Sequence, residues 1–363
     1  MKRKCLAIGI ILLFIGTCIV PAIALDTEKP LPASRASWLY VGGSGPGNYT
    51  KIQDAINDSR FGDTVYVYDE SSPYNEFLVI NKTINLVGEN KDTTIIKAYD
   101  KIKYDIIQLN ANGVHLNGFT IQNSTYSFGD GRSYFGILVN SNNNDIFDNI
   151  LTDNAGGILT SHASRNKIHG NIIKNGTYYC EAIRIEYGVK NEIFNNSISG
   201  VGFGVEIFNS AFNNIHGNRF TQIRYDGVYI AKTLPWLLTV YNRIYENYIS
   251  GAENGIQLRF YCCFNFIYRN EITNCSQNGI VRYVTLITFI MENNFLNNSR
   301  NAYFYEKWII NTWNRNYWDD WNGTGPYTIK GEMMNIADWE GDPLPTEQYD
   351  KHPAKEPYDI PGM

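Results

Sequence analysis

Arg184, Glu186, Glu206, Phe208, Tyr229, Gln257, Arg259 and Tyr283 fall into two sets whose members recur every 22 to 28 residues. Mixed charges interleaved with aromatic rings suit sugar chemistry. Rings stack on tyrosine, and polar groups bond hydroxyls. Sugar cleavage asks for more, either paired carboxylates or a basic residue beside calcium-binding acids. Glu186 and Glu206 are acids placed for the first of these. Asp319 and Asp320 form a second acid pair, readable as a calcium site, a catalytic pair or a capping turn. No D-x-D-x-D-G loop accompanies them, which favours the turn. Of five histidines, His115, His169 and His216 share one offset in a longer pattern, with Phe194 between the last two. The spacing puts those two about 9.6 Å apart, too far for one metal. The same offset continues through Tyr245, Tyr268 and Met291, which reads as a stacked column. Met333 and Met334 do not make a methionine-rich copper motif, and no copper or other metal site is expected.

The elements that position these residues are repeats. N-x-I-x-x-N-x-I runs through Asn144/Asn149, Asn166/Asn171, Asn191/Asn196, Asn213/Asn218, Asn242/Asn247 and Asn265/Asn270, with weaker copies at Asn293 and Asn311/Asn316. The mean interval is about 24 residues, the signature of a solenoid of β-coils. A second segment follows in most repeats, a small residue and then alternating apolar positions: Gly136, Gly157, Ala182, Gly204, Gly227, Gly255 and Gly279. Period-two alternation sends the apolar member inward. Two residues past the small one, the outward positions are expected to be Leu138, Leu159, Arg184, Glu206, Tyr229, Gln257, Val281 and Phe304. Two further on they are Asn140, Ser161, Glu186, Phe208, Ala231, Arg259, Tyr283 and Glu306. One sheet face then carries the charged and aromatic set together, as a ligand-binding face, a catalytic one, or a solvated ladder of ion pairs and stacked rings. The repeat asparagines are expected at corners, tolerating left-handed backbone and bonding one another in ladders. That role is architectural, so none is assigned to catalysis.

Composition agrees. The 363 residues include 43 Asn, 31 Gly and 26 Tyr, with 44% hydrophobic and 18% charged. Asparagine is a poor helix former, and the apolar content rules out a disordered tail. Lys2, Arg3 and Lys4 precede an apolar run from Leu6 to Val20, and Ala22-Ile23-Ala24 fits a cleavage site, so residues 1–24 read as a secretory signal. If it is retained, it is the one membrane attachment. Without its three cations, 28 Lys+Arg face 36 Asp+Glu, a net charge of −8 that disfavours nucleic-acid binding. The remaining Cys180, Cys262, Cys263 and Cys275 show no C-x-x-C pair. They read as buried thiols, with one disulfide left open.

Residues 25–47 are expected to be a linker and 48–318 the solenoid. Thr50-Lys51-Ile52-Gln53 reads as a capping box, opening a short N-terminal cap helix. Residues 319–363, with Pro326, Pro343, Pro345, Pro353, Pro357 and Pro361, read as an irregular capping tail, because proline disrupts ladder strands.

The small-residue/Ile strands, the asparagine motif and the entry segment Ile52-Gln53-Asp54-Ala55-Ile56 … Gly62-Asp63-Thr64-Val65 resemble right-handed parallel β-helix proteins. The nearest likeness is the NosD-type, carbohydrate-binding and sugar-hydrolase repeat family. Asn316-Tyr317-Trp318-Asp319-Asp320-Trp321 and the tail His352 to Asp359 resemble its archaeal surface type. The resemblance implies an all-β, pectin-lyase-like solenoid of roughly 10–12 coils, about 50–60 Å long. It implies a secreted or cell-surface protein whose partner is a polysaccharide or glycosylated envelope component. Non-catalytic binding is the leading expectation. A lyase, hydrolase or epimerase and a structural surface-layer protein are the alternatives.

Overall fold

The computed structural model describes residues 36–98, 104–127, 132–233, 239–307, 312–334 and 342–361. The expected signal and residues 25–35 of the expected linker lie outside them. The described chain winds into a parallel β-helix of about 12 turns. Sheet A has 12 strands, from Trp38–Val41 to Trp313–Asn314. Sheet B has 10, from Ile95–Lys97 to Tyr317–Trp318, and sheet C has 12, from Leu78–Ile80 to Leu344–Asp350.

Inward residues stack coil on coil. In sheet A, Ile146, Ile168, Ile193, Ile215, Ile244, Ile267 and Ile290 form one fully buried row. β-Branched side chains fit such a pleated surface. The small residue at the second position of most sheet C strands is required by a close approach. A Cβ on Gly204 would lie 2.3 Å from the Gly227 carbonyl oxygen, and one on Gly157 2.2 Å from that of Ala182.

The asparagines form two ladders, one through Asn144, Asn166, Asn191, Asn213, Asn242 and Asn265, the other from Asn149 to Asn316. Asn196 shows the unit. Its main-chain N–H and its Nδ2 both donate to Asn218 Oδ1, each at 3.0 Å, and Nδ2 also donates to the Ile168 carbonyl at 2.9 Å. Buried main-chain donors at the corner are thereby satisfied. The ladder asparagines do not themselves take the left-handed conformation. The residue before each does: Asp148, Gly170, Asn195, Gly217, Glu246, Arg269, Glu292 and Arg315 have φ from 50° to 63°. Most are not glycine or asparagine, so the ladder's hydrogen bonds hold a backbone that is costly for such residues.

Other expectations shift at the ends. The linker ends early, because Trp38–Val41 pairs with Thr64–Val67, with Trp38 and Tyr40 packed on Tyr66 and Val41 buried. The capping box does not form. Lys51 is the N-cap of the helix Ile52–Asp58, and the Glu76 carboxylate accepts the N–H groups of Ile52 and Gln53 at 2.9 and 3.0 Å. The tail is not irregular throughout. Tyr327–Met333 extends sheet C, and Leu344–Asp350 pairs back antiparallel to it. Pro345 is tolerated because its strand is outermost. Asp350 ends the second ladder. Its carboxylate accepts from the Asn316 main-chain N–H at 2.8 Å, Asn316 Nδ2 at 3.1 Å and Trp318 Nε1 at 3.3 Å.

Candidate functional site

Sheet C brings the predicted face together. Arg184, Glu206, Tyr229 and Gln257 are register partners on successive strands, and Glu186, Phe208, Ala231, Arg259 and Tyr283 form the next row. The last coil departs from expectation. Val281 pairs with Tyr303 and Tyr283 with Tyr305, so Phe304 and Glu306 are not in the outward rows. A one-residue slip sends a side chain to the other face. Phe304 is buried in the core, and Glu306 is buried in an ion pair with Arg282 at 3.1 Å.

Two open depressions lie along this face. The first, of about 420 Å³, is lined by Leu138, Leu159, Glu181, Arg184 and Glu186. The second, of about 520 Å³, is lined by Glu181, Phe203, Glu206, Tyr225, Asp226 and Tyr229, and extends to Gln257, Arg259 and Tyr283. Arg184 anchors the junction. Its Nε donates to Glu186 at 2.8 Å and its Nη1 to Glu181 at 2.7 Å, with Nη1 3.7 Å from Glu206. Phe208 lies 4.6 Å from the guanidinium carbon, and Tyr283 lies 4.7 Å from that of Arg259.

Burial governs the acids. It pushes Glu206 well above the usual carboxylate range, Glu181 adding to the effect and Arg184 opposing it. Burial also raises Glu181, against the nearby Arg184. It lifts Asp226 to about 6, although Asn254 and Gln257 donate to its oxygens at 3.0 and 2.8 Å. Burial acts to lower Arg184, but the surrounding glutamates outweigh it and the guanidinium stays charged. The result is a cation fixed among carboxyl groups beside Glu206, whose hold on its proton burial strengthens.

The strand pattern missed part of the groove. Glu181, Phe203, Asp226, Asn254 and Asn278 form a third outward row, one position before the small residue. Two consecutive residues turn inward after each member of this row, as Ala182 and Ile183 do after Glu181, so strict alternation fails there. Phe203 stacks on Tyr225 at 4.9 Å, and Tyr225 on Tyr179 at 6.0 Å. Tyr178 and Tyr179 are 59% and 60% exposed and extend the aromatic wall.

Asp319 and Asp320 line neither depression. They accept from Asn301 Nδ2 at 2.9 and 2.8 Å, and Asp320 also accepts from the Tyr327 hydroxyl at 3.1 Å, as a turn closing the last coils. The histidine column is a stack of Phe147, His169, Phe194, His216, Tyr245 and Tyr268, with centroids 4.5 to 5.3 Å apart. His115 lies outside it, since its register partner is Asp145, two residues away from Phe147. His169 and His216 pair with Asp145 at 2.9 Å and Glu192 at 3.2 Å. Cys180, Cys262, Cys263 and Cys275 are free thiols. Among the described residues no three His, Cys, Asp or Glu are grouped to hold a metal ion, and no helix is long and apolar enough to cross a membrane.

A family model described as "Periplasmic copper-binding protein (NosD)" matches residues 56–250. Among curated proteins none matches the sequence. Several solved structures share the fold. Polygalacturonase from Erwinia carotovora ssp. carotovora is 11% identical, covering 78% of this chain and 95% of its own, with a TM-score of 0.56. The A-module of the Azotobacter vinelandii mannuronan C-5 epimerase AlgE6 is 12% identical, covering 73% and 87%, with a TM-score of 0.53. XylC in complex with xylose is 10% identical, covering 73% and 69%, with a TM-score of 0.56. At these identities the likeness is one of fold.

Proposed function

The chain belongs to the NosD family, and on that premise we propose that it is a secreted or cell-surface protein that binds a polysaccharide along the outer face of sheet C. The observation that carries this reading is the second depression. It is an open groove lined by the aromatic rings of Phe203, Tyr225, Tyr229 and Tyr283 beside Glu206, Asp226, Gln257 and Arg259. Coils repeat at about 4.8 Å, so a sugar of similar length per residue meets a ring or a polar group at every coil or two. Structural neighbours named for polysaccharide chemistry support the same choice of ligand. A glycan array tests it. Binding to at least one polysaccharide, weakened by Tyr229→Ala or Gln257→Ala, is expected. Retention on none would refute it.

Catalysis is the second reading, favoured by one observation, the buried Glu206 carboxyl in the groove, which burial shifts toward its protonated form. Such a group can protonate a leaving glycosidic oxygen. A reducing-end assay on any bound polysaccharide separates the two. Turnover lost in Glu206→Gln establishes the enzyme, and no turnover leaves binding alone.

Copper does not fit the described residues. The imidazoles of His169 and His216 are paired with carboxylates, and Phe194 stands between them. Burial pushes the Cys180 and Cys275 thiols up to about 12 and Cys263 to about 11, away from the thiolate that a metal requires. No step is assigned to the metal.

A further inference from the structure

The groove's acids are arranged in a way that plain sugar hydroxyls do not require. Glu206 is only 4% exposed, yet no N–H donates to its Oε2. The nearest cation, Arg184 Nη1, stands 3.7 Å off and is already committed to Glu181 at 2.7 Å. The carboxyl groups of Glu181 and Glu206 instead hydrogen-bond one another, which two carboxyls do only with a proton between them, a place that a cation can also take. Asp226 stands on the far side of Phe203 in the Glu181 row, two coil spacings or about 9.6 Å from Glu181 along the stack. Glu253 adds a further acid at the rim, and Arg259 is the one cation among the groove's lining residues.

Three classes of charged ligand can be compared. A uronate chain brings carboxylates into this excess of acids and is repelled. A bare metal ion needs several oxygens converging at about 2.0–2.6 Å, and no described group of three acids offers that. An ammonium carries three N–H donors, reaches acceptors at hydrogen-bond distance, and also favours aromatic faces.

We propose that the groove takes an amine-bearing polysaccharide, seating the ammonium of an unacetylated amino sugar against Glu206 while the sugar ring packs against the stacked Phe203–Tyr225 pair. The inference rests on the glycan-binding reading and deepens it. On binding, the Glu206 carboxylic acid gives its proton to solvent and its carboxylate accepts from the ammonium, so one proton is released for each ammonium seated. Glu181, Arg184, Glu186, Asp226, Glu253 and Arg259 are the charged groups around that exchange, and Tyr225 and Tyr229 the phenols.

Titration calorimetry at mildly acidic pH, in two buffers of different ionisation enthalpy, tests the proposal. The probes are a β-1,4-glucosamine hexasaccharide, its fully N-acetylated counterpart and an oligogalacturonate. The amine form is expected to bind roughly tenfold or more tighter than the acetylated one, the scale of a charge-assisted hydrogen bond, with proton release. Glu206→Gln puts a neutral amide where a neutral acid stood, so the fold is kept while the preference and the proton release are lost. Asp226→Asn is expected to reduce the preference by a smaller factor. Equal binding of the acetylated chain, or tighter binding of oligogalacturonate, overturns the ammonium site and leaves the glycan reading standing. Poly-L-lysine binding with the same proton release also overturns it, because the groove then reads charge alone. Binding of none of the sugars overturns both.

Discussion

Asp350 is the residue whose removal tests how the solenoid is closed. Its two oxygens take the place of the next asparagine on the second ladder and accept from the N–H groups of Arg315, Asn316 and His352, from Asn316 Nδ2 and from Trp318 Nε1. Asp350→Ala removes all five acceptor contacts, but their costs differ. Asn316 Nδ2 retains the Ile290 carbonyl at 3.0 Å. The amides of Arg315 and His352 belong to exposed residues and can turn to water. The Asn316 main-chain N–H and Trp318 Nε1 belong to buried residues and lose this acceptor. At about 1–3 kcal/mol for each orphaned buried donor, the expected loss is roughly 2–6 kcal/mol. Asp350→Asn should recover about half, since one amide oxygen still accepts while the NH₂ group faces donors. Guanidinium unfolding followed by tryptophan emission suits the case, because Trp318 sits at the cap and the first change should be local to it. Hydrogen exchange adds residue detail: the Asn316 amide should exchange far faster in the alanine variant while the Asn196 amide is unaffected. If Asp350→Ala left the midpoint and the Asn316 exchange rate unchanged, the cap would be ornamental and the ladder self-sufficient.

Three further outcomes are expected. Asp226 is raised to about 6, chiefly by burial, so the folded state holds its proton more tightly than the unfolded chain. That contribution is full below the ordinary aspartate range and is lost as pH rises through about 6; urea midpoints should therefore show Asp226→Asn gaining on the wild type across that interval. Arg282 and Glu306 are each 1% exposed and paired at 3.1 Å; Arg282→Met alone should cost about 3–5 kcal/mol, with much of it regained in Arg282→Met/Glu306→Leu, read by denaturant unfolding. Lys190 has φ 61° at a corner, so Lys190→Gly should raise stability by roughly 1 kcal/mol in the same assay, the relief of left-handed strain.

The architecture was legible because one physical demand repeats at every coil. A corner with buried main-chain donors needs an amide that accepts and donates along the stack, and only asparagine has that reach, so Asn149, Asn171, Asn196 and Asn218 mark the period by themselves. What the pattern misplaced was the strained residue. Left-handed backbone was expected at the asparagine, yet it falls one position earlier on Asp148, Glu246 or Arg269, where residue type varies because the neighbour's hydrogen bonds hold the conformation. Caps were less legible, since a solenoid end is closed by groups distant in sequence. Glu76 caps a helix that begins at Ile52, and Asp350 completes a ladder that leaves its last repeat at Asn316.

The candidate site shows where period-two reasoning stops. Arg184, Glu206, Tyr229 and Gln257 were found because alternation holds within a strand. Glu181 and Asp226 were missed because each stands before the small residue, where two successive residues are buried and alternation resets. Yet they share an offset as regular as the others, and scanning every offset for acids, rather than only the two that alternation allows, would have exposed them. The consequence is chemical. Without Glu181, Glu206 is one more solvated ladder acid balanced by Arg184. With it, Arg184 is already engaged, Glu206 must keep a proton or acquire a cation, and the proposed binding face gains a preference for an ammonium.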